Sequence, residues 1–465
     1  MPVSRFLPAF STCSLILLLS ACAVIPAKTP EANIPQDWKN AANFPVASPQ
    51  QDLSRWWKRF NDATLNRLIS SALAQNPDVA AASARVRESR ANRAATAASL
   101  FPGLDAGANR SFSSSDRSGI TTTSTSYSAG LDAAWELDFF GKRRNNVLAA
   151  TAQVGASEEN FHSVQASLAS EIAIAYTSLR ATEARLDVTR RSLKSREETY
   201  QIAKWRLEAG KIDNLEASQA LSSLEQAKAS IPSLEQSASQ SRNLLAVLIG
   251  QNPGTLDGSL SSRKAGLPNP STNLAIGIPA DTIRQRPDLR LAAYQWIAQV
   301  ANTNAAKAER YPSFSLSGSL GINTLSSSKI FNPENTSTGL IGRVSAPIFD
   351  AGRISANIKA QTAVQEQALL NYQGTVLTAL SEVEDSLIAC KRTAERITIL
   401  ERATAAAREA DTLARQKYEA GITDITTVLD SQRTLLSLEE SLISARADRT
   451  IAYIQLYKAL GGGWS

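Results

Sequence analysis

Hydrophobic and polar residues alternate along several segments of this 465-residue chain. In the clearest segment, Phe314, Leu316, Leu320 and Ile322 fall on one face of an extended chain and serines fall on the other. A period of two is typical of β-strands, and two pairs of strands are predicted. The strands cover about residues 104–113, 128–138, 313–322 and 338–346. The polar stretches inside the two pairs, 114–126 and 323–337, are predicted to be loops.

A long helical pattern follows each strand pair. No proline occurs from Lys142 to Ala209 or from Arg353 to Ala420. Each stretch of about 68 residues corresponds to roughly 100 Å of helix, at about 1.5 Å per residue. Gly210 and Gly421 follow at positions typical of a left-handed helix cap. A return helix is expected after each glycine, which predicts helical hairpins over about 142–249 and 353–460.

The chain is a tandem repeat of one unit. Asn76-Pro77-Asp78 recurs as Arg286-Pro287-Asp288, and Ala209-Gly210 recurs as Ala420-Gly421, at an offset of about 210 residues. Four further motif pairs keep this offset with a single one-residue slip. A unit this long indicates duplication of a whole structural module, since solenoid repeats are much shorter. The predicted repeats cover residues 61–260 and 271–465.

The amino-terminal residues have the pattern of an export signal. Arg5 precedes the apolar run Leu15–Leu19, and Ser20 and Ala21 lead to Cys22. A positive start, a short apolar run and small residues are typical of a secretory signal peptide, predicted here for residues 1–21. The ending resembles a bacterial lipobox, which implies acylation of Cys22 and a lipidated strap over 22–60. The alternative is an ordinary signal peptide that contains a cysteine.

Composition excludes several classes of function. The net charge is +6 and the basic residues are dispersed, so nucleic acid binding is not predicted. The three cysteines form no paired framework, and His162 is the single histidine. The sequence holds no HExxH motif, no phosphate-binding loop and no nucleophile elbow. We therefore predict no enzyme activity, no metal site and no cofactor.

Strands of about ten residues with one apolar face match those of outer-membrane β-barrels. Four strands cannot close a barrel, and open edges in lipid would leave backbone groups without hydrogen bonds. Two chains would supply about eight strands, too few for a pore, whereas three would supply about twelve. The pattern thus favours an oligomeric channel. The competing interpretation, a serine-rich β-helix or adhesin stalk, explains neither the duplication nor the equal hairpins.

Short motifs along the mature chain carry a resemblance to a known family. Among them are Trp56–Phe60, Trp135–Lys142, Arg286–Leu289, Pro347–Arg353, Tyr418–Gly421 and Val428–Arg433. With these motifs the chain resembles the TolC/OprM-like outer-membrane factors, in the NodT-type lipoprotein branch found in RND efflux systems.

The resemblance implies an α+β membrane protein. Its expected form is a homotrimer with a twelve-stranded transmembrane β-barrel, four strands per chain, continued by a long periplasmic α-helical barrel with a mixed equatorial region. The expected location is the bacterial outer membrane, in contact with its lipids. The expected partners are a periplasmic adaptor (membrane fusion protein) and an inner-membrane RND-type pump. The channel would export small toxic compounds passively, gated at the hairpin tips.

The resemblance also assigns roles at the tips. Tyr418 is expected to bond to Glu216 on the adjacent hairpin, and Asp430 and Arg433 to line the closed end. The last two lie three residues apart, hence on one helical face. In the first repeat, the positions of Tyr418, Asp430 and Arg433 are taken by Leu207, Gln219 and Ser222. The expected adaptor contacts are Ala209, Gly210, Lys211, Ala420, Gly421 and Ile422.

Other functions stay open from the sequence alone. An outlet for secreted proteins or for metal ions would need the same architecture. The chain contains one methionine, Met1, which weighs against a methionine-dependent metal conduit. A structural lipoprotein that braces the envelope is the alternative from another class.

Overall fold

The computed structural model describes residues 30, 33–41, 53–260, 266–270, 279–329 and 332–464. The predicted signal peptide and Cys22 lie outside the described residues, and so does part of the predicted strap. The chain divides into two compact units. One contains Ala84–Glu158 and Leu291–Gln373, and the other contains Ala32–Ser83, Glu159–Arg290 and Gly374–Ser465.

The described helices have matched lengths in the two halves. In chain order they are α1 (Ala63–Gln75), α2 (Pro77–Ala98), α3 (Lys142–Glu208), α4 (Asn214–Leu248), α5 (Asp257–Leu260), α6 (Pro279–Arg284), α7 (Pro287–Ala308), α8 (Arg353–Glu419) and α9 (Ile425–Ala459). The pair α2 and α7 has 22 residues each, α3 and α8 have 67, and α4 and α9 have 35. Among the described residues we find no helix with the length and hydropathy needed to cross a membrane.

The first unit contains a four-stranded antiparallel sheet in the order β1-β2-β3-β4. The strands are β1 (Gly103–Arg117), β2 (Ile120–Leu137), β3 (Ser313–Thr324) and β4 (Thr336–Ser345). Because neighbours pair only in sequence order, β1 and β4 are the two edges of the sheet within one chain.

The predicted loop at 114–126 is wrong, because β1 and β2 continue through it. Ser118 and Gly119 form the turn, with φ of 54° and 81°. Two consecutive positive φ angles are typical of a two-residue hairpin turn, whose twist matches that of the strands. The serine and threonine content of this stretch favoured a loop, but β-branched threonine also suits a strand. Between β3 and β4 the chain does leave the sheet, with 3-10 turns at Ser327–Lys329 and Pro333–Asn335.

The strand register separates the sheet into an apolar and a polar face. Leu104 lies opposite Ala133, Leu131 opposite Leu320, and Phe314 opposite Val344, so one face is apolar on all four strands. The other face carries Asp105, Asn109, Ser128, Asp132, Glu136, Ser315, Ser317, Ser319 and Arg343. The sheet therefore has the two-faced character that the alternation in β2 and β3 predicted.

Two residues interrupt this division, and the structure explains one of them. Arg110 lies on the apolar face opposite Tyr127, and its guanidinium is 5.8 Å from the centre of the Tyr127 ring. Stacking on an aromatic ring lets the arginine cover apolar surface while its charge stays solvated. Ile341 lies on the polar face opposite Ser317, and no contact in the structure accounts for it.

Aromatic side chains cluster where the sheet meets the helices of the first unit. Phe140 stacks on Tyr311 with ring centres 4.7 Å apart, and Phe139 meets Phe314 edge-on at 4.9 Å. Trp135 Nε1 donates a 2.9 Å hydrogen bond to Leu100 O. These rings combine a large apolar area with a polar edge, as do the aromatic residues found at membrane–water interfaces.

The second unit has an aromatic and aliphatic core. Trp56 is stacked on Tyr457 of α9 at 5.5 Å, and Phe60 meets the same tyrosine at 6.0 Å. Burial raises the pKa of Tyr457 to about 12. The Trp56–Phe60 motif is thus the part of the amino-terminal region that anchors it to α9.

The two repeats solve one capping problem with different residues. Asn76 Nδ2 donates to Leu248 O, at the end of α4, while its Oδ1 accepts hydrogen bonds from Asp78 and Val79 at the start of α2. At the equivalent place, Arg286 Nη1 donates to Ala459 O at the end of α9. Both side chains satisfy helix-end groups that lack intrahelical partners. The residue before each Pro-Asp element therefore links the end of one helix to the start of another.

Candidate functional site at the hairpin tips

The hairpin tips, where α3 turns into α4 and α8 into α9, have the same backbone geometry. Gly210 and Gly421 have φ of 67° and 75°. Lys211 N donates to Arg206 O, and Ile422 N donates to Lys417 O, each at 2.8 Å. This is a Schellman ending, which requires a left-handed residue and so favours glycine. The six residues predicted as adaptor contacts, 209–211 and 420–422, are all exposed.

Acidic residues then start the return helices. Asp213 accepts from Glu216 N at 3.1 Å, and Asp424 accepts from Thr427 N at 3.2 Å. A side-chain acceptor at this position satisfies one of the free N–H groups at a helix start. Hydrogen bonds from Thr426, Thr427 and the backbone hold the pKa of Asp424 below its usual value. Each hairpin turn therefore has a glycine ending on the first helix and an aspartate cap on the return helix.

Tyr418 is buried, with only 2% of its surface exposed. It packs among Ala203, Ala220, Ile425 and Val428, which come from both hairpins. Burial is the main cause that raises its pKa, and the nearby Glu216 carboxylate acts in the same direction. The hydroxyl has no hydrogen-bond partner in the part of the chain that the structure describes. The predicted bond from Tyr418 to Glu216 is thus not made within one chain.

Arg206 is the residue that holds Tyr418 across the hairpins. Its guanidinium lies 4.6 Å from the centre of the Tyr418 ring, and its Nη1 donates a 2.7 Å hydrogen bond to Tyr418 O. The two residues are 212 positions apart in the chain. Our sequence-based reasoning missed Arg206, because an arginine in the last turn of a helix is most simply explained by the helix dipole.

Asp430 and Arg433 do lie together on α9. Arg433 Nη1 donates to Asp430 Oδ1 at 2.8 Å, and both side chains are about 70% exposed. An ion pair this exposed contributes at most about 1 kcal/mol, since water screens both charges. Within one chain the pair is a solvated surface feature, and its charges are free to interact with other molecules.

A buried polar layer lies behind the tips. Arg196 of α3 donates to Ser223 of α4, at both the carbonyl oxygen and the hydroxyl. Gln432 of α9 donates to Ser195 Oγ at 3.1 Å and to Thr199 Oγ1 at 2.9 Å. One stretch of α3 is therefore hydrogen-bonded to the return helices of both hairpins. Buried polar groups in helix seams fix register, because a shifted packing would leave them without partners.

Asp411 is the carboxylate that faces the arginines next to this layer. Asp411 is buried, forms a 3.1 Å ion pair with Arg415 and accepts a hydrogen bond from Ser431. Burial raises the pKa of Asp411. Burial also lowers the pKa of Arg196, and the charge of Arg433 adds to that effect while Asp411 opposes it. The sequence offered only one signal for this layer, polar residues within an otherwise small and apolar seam.

The chain is similar to several characterised proteins along nearly its whole length. A family model described as outer membrane efflux protein matches residues 68–251 and 278–462. The outer membrane protein OprJ of Pseudomonas aeruginosa is 33% identical, over 98% of this chain and 96% of the relative. The solvent efflux pump outer membrane protein SrpC of Pseudomonas putida is 31% identical, over 99% and 98%. The cation efflux system protein CusC of Escherichia coli is 30% identical, over 98% and 99%.

Solved structures agree with these relatives. The outer-membrane channel OprN superimposes with a TM-score of 0.88 at 31% identity, over 95% of this chain and 99% of that one. The open state of the MtrE outer membrane channel of Neisseria gonorrhoeae gives 0.81 at 27% identity, over 96% and 99%.

These matches confirm the predicted family, the α+β membrane-protein fold class and the outer-membrane location. The matched relatives are efflux and channel proteins. The repeat boundaries and the roles of individual tip residues stay predictions. From the match over most of its length, and from relatives more than 30% identical, this chain belongs to the outer membrane efflux protein family.

Proposed function

We propose that three copies of this chain form a passive duct in the outer membrane, through which an efflux system exports small toxic compounds. The supporting observation is the division of the sheet into one apolar and one polar face. A transmembrane barrel needs an apolar face toward lipid and a polar face toward its lumen. Three copies would close the two free edges and supply about twelve strands.

The proposed partners are a periplasmic adaptor and an inner-membrane RND-type pump. A passive duct couples no energy and catalyses no reaction, so the pump must supply both work and selection of cargo. Relatives named for solvent efflux and for cation efflux match this chain at 31% and 30% identity. Small toxic compounds are the proposed cargo because the chain has one methionine, few for a conduit dedicated to soft metal ions.

We propose that Cys22 is acylated after removal of residues 1–21. Several acyl chains on one residue bind a membrane firmly, whereas one chain is marginal. The closed barrel would hold the protein in the bilayer without them. The anchor would therefore serve targeting and assembly more than pore formation. The two repeats, 61–260 and 271–465, are the proposed structural modules.

The gate is proposed to lie at the hairpin tips. The Tyr418 hydroxyl has no hydrogen-bond partner among the described residues, and Glu216 lies near enough to act on its pKa. A bond between the two, formed when the tips pack together in the assembly, is the proposed lock. Threefold symmetry would bring three Asp430 carboxylates around one axis. Like charges placed together repel one another and attract cations, and Arg433 offsets part of this repulsion. Adaptor contact at 209–211 and 420–422 would release these bonds.

Planar-bilayer recording of the purified protein tests the duct and the gate together. Pores of defined conductance are expected from the wild type, and Tyr418→Phe with Arg433→Ser should raise the conductance or the open probability. Arg392→Ser is the matched control, because Arg392 also forms an exposed i,i+3 pair, with Glu395, but lies far along α8 from the tip. A protein that forms no pores would refute the duct, and unchanged conductance in the double variant would refute this gate.

Adaptor docking needs a separate experiment. Lys211→Glu with Ile422→Asp changes two exposed tip residues, and a strain that depends on this channel should lose resistance to toxic compounds. Lys228→Glu is the control, an exposed lysine in the middle of α4. Conductance in bilayers should be equal in all three proteins. Full resistance in the tip variant would exclude docking at these residues. Export of a protein but of no small molecule would favour secretion.

A further inference from the structure

Two opposite charges lie at the two free edges of the sheet, on the same face. Asp105 is on edge strand β1 and Arg343 is on edge strand β4, and the register places both on the polar face. Within the part of the chain that the structure describes, neither side chain has an ion pair or a side-chain hydrogen bond. Each charge lies on an edge strand that pairs on one side only in the described sheet.

Asp105 also faces a like charge. Its cross-strand partner on β2 is Asp132, directly opposite and on the same face. Two carboxylates at this spacing repel, and like charges placed directly opposite in a sheet are destabilising. A cation delivered from the open side of β1 would relieve this repulsion. Arg343 on the opposite edge carries such a cation. Its own cross-strand neighbour is the uncharged Ser315.

The possible registers between β4 of one copy and β1 of the next are few. Inside the chain, one row of partners runs from Gly103 through Ala134 and Ser317 to Ile341. A closed barrel requires tilted strands and therefore a stagger when the row passes to the next copy. A stagger in one direction leaves the last residues of β4 beyond the start of β1, without partners. A stagger in the opposite direction pairs all ten residues of β4 with β1.

Polar side chains must also stay on the polar face, which removes every second register. The registers that remain place Arg343 opposite Asp105, Gly107 or Asn109. Opposite Asp105 the Cβ atoms would be about 5 Å apart, and opposite Gly107 the Asp105 carboxylate is a diagonal neighbour at about 7–8 Å. Arginine spans both distances, but it cannot reach Asp105 from opposite Asn109.

We propose that Arg343 of one copy pairs with Asp105 of the next copy across the β4–β1 seam, and that this pair selects the register in which the barrel closes. The inference rests on the proposed assembly of several chains into a channel. Exposed apolar residues at the base of the same seam support it. Ile348 and Phe349 follow β4 and are 94% and 91% exposed, and Phe101 precedes β1 and is 70% exposed. The proposed registers bring these side chains to one place, where each would cover the others.

A charge swap tests the pair. Asp105→Arg and Arg343→Asp are each expected to reduce the fraction of assembled channel that survives SDS by roughly tenfold, as expected for one apposed like-charge contact per seam. The double variant should return to within about twofold of the wild type. Asp105→Arg combined with Arg117→Asp, a charge change at the far end of β1, should not recover. If the double variant loses as much SDS-resistant channel as the single variants, the proposed pair is wrong.

Cysteine cross-linking tests the register even if the charge-swap variants fail to insert into the outer membrane. Arg343→Cys should give disulfide-linked oligomers in outer membranes with Asp105→Cys or with Gly107→Cys, the directly opposite positions in the two registers that allow the ion pair, and not with Asn109→Cys. The buried Cys390 adds little background. Cross-linking only through position 109 would overturn the proposed register while leaving the channel intact. A wild-type protein that neither oligomerises nor conducts would instead refute the proposed function on which the pair depends.

Discussion

Arg206 and Tyr418 join the two hairpins of one chain through the ring and the backbone at once. The arginine stacks 4.6 Å from the ring centre and donates a 2.7 Å hydrogen bond to the tyrosine's own carbonyl oxygen. The carbonyl belongs to the last turn of α8 and also accepts a 2.9 Å hydrogen bond from Gly421 N, so Arg206 is its second donor. One side chain thus caps the second hairpin from the first. These two contacts join the hairpin tips within a single copy of the chain.

Arg206→Gln should uncouple the tips. A charged hydrogen bond to a part-buried carbonyl and a cation–π contact together are worth about 1–2 kcal/mol, because the carbonyl keeps its bond from Gly421 N. Amide hydrogen exchange should therefore become faster in the last turn of α8, around Tyr418, without a change in the sheet. Lys204→Gln is the control, since this neighbour is exposed. Equal exchange in both variants would show that Arg206 does not hold the tip.

The buried layer gives a second prediction. Arg196→Ala removes the guanidinium that donates to the carbonyl and hydroxyl oxygens of the buried Ser223, at a cost of about 1–3 kcal/mol. The midpoint of thermal unfolding should fall by several degrees, measured by helical circular dichroism. Arg191→Ala removes an exposed arginine paired with Asp187 in the same helix, and should change the midpoint little. Similar shifts in the two variants would contradict a structural role for the layer.

Local patterns predicted the order of elements but not these contacts. Alternation in β2 and β3, proline-free stretches and the two glycines each depend on residues close in sequence. Arg206 and Tyr418 are 212 positions apart, and no periodicity relates them. The prediction of β1 met the same difficulty. Arg110 breaks the alternation in sequence, and only its position opposite Tyr127 explains it. Pairing between distant segments depends on tertiary packing, which a single sequence does not display.

Cys390 gives a prediction about alkaline pH. Burial raises the pKa of this thiol from its ordinary value of 9.0 to about 12. Between these values the unfolded chain loses a proton that the folded chain keeps, so stability must fall as pH rises above about 9. Cys390→Ala should flatten the fall of the melting temperature over pH 9 to 11. Ellman's reagent should label Cys390 at neutral pH only after unfolding. Fast labelling of the folded protein would show that the thiol is accessible.

The last prediction concerns the aromatic ring of Trp464. This ring stacks on His162 with ring centres 4.6 Å apart, and the guanidinium of Arg290 lies 5.6 Å from the centre of the Trp464 ring. Both flanking residues approach the nearly buried carboxylate of Glu159, at 3.5 Å and 2.6 Å. Trp464→Ala should therefore destabilise the second unit by about 2–3 kcal/mol, whereas His162→Phe should retain most of the stacking.

Glu159→Ala distinguishes the ionic from the aromatic part of this arrangement. It leaves Arg290 without its carboxylate next to a buried site, with an expected loss of about 1–3 kcal/mol once the partial exposure of Arg290 is considered. Glu158→Ala is the matched control, one residue away, because its pair with Arg90 is exposed and should contribute under about 1 kcal/mol. Thermal unfolding of the four variants gives the comparison. If Glu159→Ala and Glu158→Ala have the same midpoint of thermal unfolding, the ion pair of Glu159 contributes nothing measurable. The stacking of Trp464 alone would then stabilise the packing around Glu159.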